Sequence, residues 1–192
     1  MLTITAVLSA LFMLNSGMAE IVRTGSRHLL HVHHSDHNTA DGGIFMANGR
    51  ARFTKTIEIA APRDCVWKVM TDVEHWPDWA PSVTSLRRLD AGPFVIGSRA
   101  RIKQPRLLSA VWTVTALDAG RSFTWVSRMP GLRVYRLHEV DSAGDSSRVS
   151  LPVQFEGAFR LIAARVFGKL NEEYLNMEAT GLKRQCESVN AF

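Results

Sequence analysis

The chain has 192 residues, 46% of them hydrophobic and 21% charged, which suits one packed domain with extra segments and excludes a wholly disordered chain. The formal net charge is +5, and residues 1–45 hold two arginines against three acidic residues, so the basic excess lies in the remainder. That balance suits an anionic ligand, a membrane surface or nucleic acid, and does not choose among them.

Leu2 to Met18 is mostly apolar but short for a membrane span, which needs roughly 20 apolar residues. Gly17-Met18-Ala19 has the small residues of a signal-peptidase site, although no Lys or Arg precedes the apolar run. Five of the seven histidines follow, between His28 and His37. Their spacing holds no preorganised tetrahedral set, so the tract reads as a disordered tail rather than a metal site. Met46 stands directly before the first convincing strand, and Gly42-Gly43 codons can form a purine-rich ribosome-binding sequence. Two readings of residues 1–45 stay open: a signal or anchor segment, or a misassigned start. The expected location is cytoplasmic if translation begins at Met46, and otherwise exported or membrane-anchored through residues 1–19.

From Arg52 to Ala60, Phe53, Lys55, Ile57 and Ile59 alternate with more polar neighbours, which predicts a half-buried strand. Pro62 opens a helix with the apolar stripe Val66, Trp67, Val69, Met70 and Val73. Pro77 and Pro81 break that helical region into short pieces. Strands are then expected at 83–90, 98–104, 110–117, 122–128, 132–140 and 148–155. Turn signals such as Asp118-Ala119-Gly120 and Pro130-Gly131 separate them at hairpin spacing, which predicts an antiparallel meander. From Ala158 to about Cys186 the period becomes helical, with Phe159, Ile162, Ala163, Val166, Leu170, Tyr174 and Met177 on one face. Such a helix, about 45 Å long, spans a seven-stranded sheet roughly 30–35 Å wide. Gly168 and Gly181 predict bending or fraying within it.

Several stretches carry a family resemblance over about Arg52 to Cys186. They are Ile57-Glu58-Ile59-Ala60-Ala61-Pro62, Val66-Trp67, Asp72-Val73-Glu74-His75-Trp76-Pro77-Asp78-Trp79-Ala80-Pro81, Trp112-Thr113-Val114-Thr115, Arg121-Ser122-Phe123-Thr124-Trp125 and His138-Glu139-Val140. The chain resembles the START-like (SRPBCC, Bet v 1-like) superfamily, in its bacterial polyketide cyclase/dehydrase and lipid-transport branch. The resemblance implies an α+β helix-grip fold over residues 46–192. In that fold a curved antiparallel seven-stranded sheet wraps a long C-terminal helix, with two short helices after the first strand. It also implies a hydrophobic ligand pocket between sheet and helix, without specifying the ligand.

Strand alternation places Trp112, Val114 and Ala116 on one face, Phe123 and Trp125 on another strand's inner face, and Val149, Leu151, Val153 and Phe155 on a third. Trp112, Trp125, Phe155, Phe159 and Val166 are the apolar candidates for ligand contact, with plain core packing as the alternative. Trp76 reads either as a clamp, together with Trp79, or as a contact at the pocket mouth. Val134, Arg136, His138 and Val140 share one face; if it is inward, Arg136 and His138 orient a polar head group or carboxylate. Glu139 then points the other way. Gln104 is a further pocket candidate, on the face of Ala100 and Ile102. Arg99, Arg101 and Lys103 read as an outer face that, with Arg87, Arg88 and Arg106, offers a basic patch for peripheral membrane contact.

No nucleophile motif, phosphate-binding glycine loop or HExxH pattern is present, so no metal or cofactor is expected and no catalytic residue is assigned beyond His138 as a weak candidate. Nucleic acid is not expected, because no recognition helix or stacking aromatics accompany the bases. Cys65 and Cys186 have no CxxC partner and read as two thiols, or as a single bridge in an exported protein. The leading functional reading is a carrier or sensor of a hydrophobic lipid or polyketide-like molecule. A polyketide cyclase or dehydratase is the alternative, and a protein-partner module is the third. Oligomeric state is not legible in the residues.

Overall fold

The computed structural model describes residues 45–47 and 50–190, all within the compact unit Asp41–Phe192. The apolar segment Leu2–Met18, the histidine tract and the fate of the residues before Met46 lie outside the described residues.

The elements follow the order β1 (Phe45–Ala47), β2 (Arg50–Ile59), α1 (Arg63–Thr71), a 3₁₀ turn (Val73–His75), α2 (Trp76–Trp79), β3 (Ser85–Arg88), β4 (Arg99–Lys103), β5 (Ala110–Asp118), β6 (Ser122–Met129), β7 (Leu132–Ala143), β8 (Ser146–Glu156) and α3 (Arg160–Asn190). One antiparallel sheet runs β1-β2-β8-β7-β6-β5-β4-β3. All seven expected strands are present, and β1 adds a three-residue edge strand hydrogen-bonded to the start of β2. The sheet is not closed: β2 pairs with β8, and the helical segment carries the chain to β3 at the opposite edge. This is the helix-grip fold.

The inner face is built by alternation. Phe53, Phe123, Trp125, Val140, Val149, Leu151, Val153 and Phe155 are all buried. On β5 the alternation shifts. A bulge between Val114 and Ala116 shifts the register, so Leu117 pairs with the inward Phe123 while Ala116 is turned out and exposed. The expectation that Ala116 shares the face of Trp112 and Val114 is corrected by that one extra residue.

The long helix also departs from expectation. It runs 31 residues unbroken through Gly168 and Gly181. Its buried face is Ala163, Ala164, Phe167, Gly168, Leu170, Tyr174, Leu175, Glu178, Ala179, Gly181, Leu182 and Cys186. Ile162 and Val166 are 49% and 42% exposed, and Met177 is only half-buried. Ala163, Ala164 and Gly168 lie on the buried face while the branched Ile162 and Val166 turn outward, and a Cβ at Gly168 would meet the Phe53 ring at ordinary contact distance. At Gly181 the backbone of α2 presses on α3: a Cβ there would overlap the Trp79 carbonyl oxygen. Neither glycine breaks the helix, and Gly181 marks a close approach.

Gly181→Ala is therefore expected to destabilise the domain. The gain in helix propensity is about 1 kcal/mol, and the cost of overpacking against a backbone carbonyl is about 1–3 kcal/mol. A urea midpoint that moves down checks this; a midpoint that moves up would show that α2 does not press on α3 as described.

Candidate functional site

Three polar side chains meet beneath α3. Arg136 and His138 lie two residues apart on β7 and so point to the same face. Glu178 enters from α3 and bridges them. Its Oε2 accepts a hydrogen bond from the Arg136 guanidinium at 2.5 Å, and its Oε1 lies 2.8 Å from Nε2 of His138. His138 and Glu178 are each 1% exposed, while the Arg136 side chain keeps 12% exposure.

Aromatic rings surround this cluster. The His138 imidazole stacks on Phe123, with centroids 4.5 Å apart and planes 7° apart. Trp76 lies 5.2 Å from it and Trp125 6.0 Å. Trp125 in turn meets Trp76, Trp112, Phe94 and Phe123. Trp76 is fixed from outside, because its indole N–H donates to the Met70 carbonyl at 3.1 Å.

Protonation follows from these neighbours. Burial pushes the His138 pKa down, and the Glu178 carboxylate only partly offsets it. Burial alone would raise Glu178; the Arg136 guanidinium and His138 overcome this and hold it at about 2. At neutral pH the cluster is thus a carboxylate, a guanidinium and a neutral imidazole. Since Nε2 faces the carboxylate, Nε2 carries the proton and donates it. That leaves Nδ1 as a lone-pair acceptor, and Nδ1 is buried without a hydrogen-bond partner.

The sequence candidates divide. Trp76, Trp112, Trp125, Arg136 and His138 come together around Glu178. Phe155 is buried elsewhere, edge-on to Phe53 at 5.9 Å, under the first half of α3. Phe159 lies half-buried against the β6–β7 turn, where its ring occupies the space a Cβ on Gly131 would need. Gln104 is half-buried in the turn after β4, and its carbonyl accepts from the Leu107 N–H. Val166, at 42% exposure, lies on the outer side of α3, which corrects its placement on the buried stripe.

Glu178 was missed. Its signal was a carboxylate four residues after Tyr174 on the buried stripe, but the stripe had been drawn through Met177. Phe94, in the loop between β3 and β4, meets Phe123 edge-on at 5.1 Å and had no periodic signal at all. Among the described residues no cluster suited to a metal ion occurs, and no helix is long and apolar enough to cross a membrane. Cys65 and Cys186 are free thiols; burial, then the nearby Cys65, pushes Cys186 up to about 12.

An open sheet gripping one helix over an aromatic inner face defines the class of domain that receives hydrophobic molecules. The chain belongs to the polyketide cyclase / dehydrase and lipid transport family, whose model matches residues 50–187. No curated protein matches it by sequence. Similar solved structures include a START superfamily protein from Mycobacterium smegmatis, at 18% identity and TM-score 0.60, covering 72% of this chain and 98% of that one. Another is the Zhui aromatase/cyclase from Streptomyces sp. R1128, at 18% identity and TM-score 0.55, covering 71% and 95%. A third is a point mutant of Thalictrum flavum norcoclaurine synthase in complex with a transition-state analogue, at 14% identity and TM-score 0.56, covering 71% and 94%. At these identities the likeness is one of fold.

Two predictions follow from the cluster. Glu178→Ala leaves a guanidinium and an imidazole without their shared acceptor, and is expected to cost about 3–5 kcal/mol of stability by chemical denaturation. A loss under about 1 kcal/mol would mean that water replaces the carboxylate. The second concerns acid. Unfolded His138 binds its proton near 6.5 and unfolded Glu178 near 4.5, and in the folded state both bind only at lower pH. The unfolded chain holds more protons in acid, so stability falls as pH drops below 6.5, with a further loss from 4.5 toward about 2. His138→Phe is expected to remove the first of these losses and keep the second. Denaturation midpoints that decline identically in both proteins above pH 4.5 would contradict the assignment.

Proposed function

We propose that this domain binds a hydrophobic small molecule, lipid or polyketide-like, between the inner face of the sheet and α3, as a carrier or sensor. The observation that carries the reading is the internal carboxylate. Glu178 accepts from Arg136 and His138, so the two groups on β7 suited to grip an anionic head group already face an internal anion. What remains around them is aromatic surface, which favours flat or branched apolar ligands. The family supports this through its lipid-transport members.

Titration of the intrinsic tryptophan emission with a panel of lipids and aromatic polyketides tests it. Four of the five tryptophans are in the core, so a seated ligand is expected to change the emission saturably. Native mass spectrometry should show a matching adduct that is lost on denaturation. A panel that yields neither signal sinks the carrier reading.

One observation favours a cyclase or dehydratase as a second reading. A neutral imidazole with a carboxylate behind Nε2 and an open lone pair on Nδ1 has the form of a general base. In that case Nδ1 takes a proton from the substrate and Glu178 stabilises the resulting imidazolium. His138→Phe would then lower turnover roughly 100-fold or more while leaving the tryptophan titration saturable. Full turnover in that variant would remove the role.

A further inference from the structure

The topology gathers the β4–β5 loop, the β6–β7 turn and the first turns of α3 at one end of the domain. The gathering is direct. The Phe159 N–H donates to the Gly131 carbonyl of the β6–β7 turn at 3.2 Å, and Arg106 of the β4–β5 loop pairs at 2.5 Å with Glu173, farther along α3. Val166 and Ile162 stand about two and three turns before Glu173 on the same helical side. This end is where the large exposed apolar residues cluster: Leu108 at 69%, Leu161 at 51%, Ile162 at 49%, Val166 at 42% and Met129 at 39%. Each turns an aliphatic side chain to solvent where a polar residue would serve stability equally well. Singly such residues are ordinary; on three adjoining elements they form a surface with a use.

Its charge says which use. Arg106, Arg128, Arg133, Arg160, Arg165 and Lys169 lie on or beside these segments, against Glu156, Glu172 and Glu173. Exposed aliphatic tips within a basic rim match a lipid bilayer with anionic head groups: the tips enter the acyl boundary and the bases meet the phosphates. The basic strand face around Arg99 and Arg101 carries fewer such tips: Val111 on β5, with Val95 and Ile96 in the loop before β4. We propose that the end formed by the β4–β5 loop, the β6–β7 turn and the start of α3 docks the domain onto an anionic membrane. The docking is independent of what the inner face binds.

The test uses the full chain with Cys65→Ser; Cys186 is buried and does not label. An environment-sensitive thiol dye is placed through Leu108→Cys, through Ile162→Cys, and through Asp145→Cys in the β7–β8 turn at the opposite end. Vesicles of phosphatidylcholine with phosphatidylglycerol are compared with phosphatidylcholine alone. The dye at positions 108 and 162 is expected to shift blue and escape an aqueous quencher on anionic vesicles only, while the dye at 145 stays in water. Adding Arg165→Glu and Lys169→Glu is expected to weaken the response about fivefold per residue, and salt should weaken it further. Dyes at 108 and 162 that stay quenchable on anionic vesicles overturn the proposal, as do three dyes that respond alike. Shielding without vesicles that grows with protein concentration also overturns it, and assigns the surface to a second copy of the chain. The tryptophan titration on the same labelled proteins separates the two ideas: ligand binding without docking sinks only the docking, and docking without ligand sinks only the carrier.

Discussion

The arrangement depends on one carboxylate. Glu178 is a charged group at 1% exposure in the middle of the long helix, and it is tolerable there only because β7 presents Arg136 and His138 to it. That requirement fixes the rotation of α3 about its axis and its position along the sheet, because a helix turned by one residue would bury Met177 and leave the pair on β7 unsatisfied. Small residues, Ala163, Ala164 and Gly168, line the same buried face, and Gly181 accepts the backbone of α2. A buried ion cluster is weak evidence for net stability, since apolar residues of equal volume often do as well. Its contribution here is to select one geometry, and to leave one polar atom, Nδ1 of His138, facing an aromatic surround.

The strand pattern was legible because each strand is half-buried and alternates, and because Gly and Pro mark almost every turn. The common face of Val134, Arg136, His138 and Val140 was legible from alternation, while its inward direction stayed conditional until the structure placed it. Ala116 was misplaced because a bulge adds a residue without leaving a mark in hydrophobicity. The helix face was misplaced because the apolar period through Ile162 and Val166 is as regular as the true one through Ala163, Phe167, Leu170 and Tyr174. Burial was decided by side-chain size, the small residues winning where sheet and helix approach closely. Glu178 was illegible for the same reason that it matters: a buried carboxylate makes sense only once its partners, forty residues away, are known.

Functionally, the cluster separates two tasks that the sequence had merged. Arg136 and His138 looked like a head-group site; the structure gives them an internal partner instead. Under the proposed reading, an incoming molecule meets aromatic rings and one acceptor nitrogen. A carrier needs only the rings. An enzyme needs the nitrogen as well, supported from behind by the carboxylate. Both uses fit a family whose description covers cyclases, dehydrases and lipid transport.

The direct measurement of this account is the ¹⁵N spectrum of the His138 ring near neutral pH. The account predicts a neutral imidazole with its proton on Nε2 and an unprotonated Nδ1, which persists well below the ordinary histidine value of 6.5. A ring protonated at both nitrogens at neutral pH, or one with its proton on Nδ1, would contradict the bridging role of Glu178 and the unpaired acceptor that the enzyme reading requires.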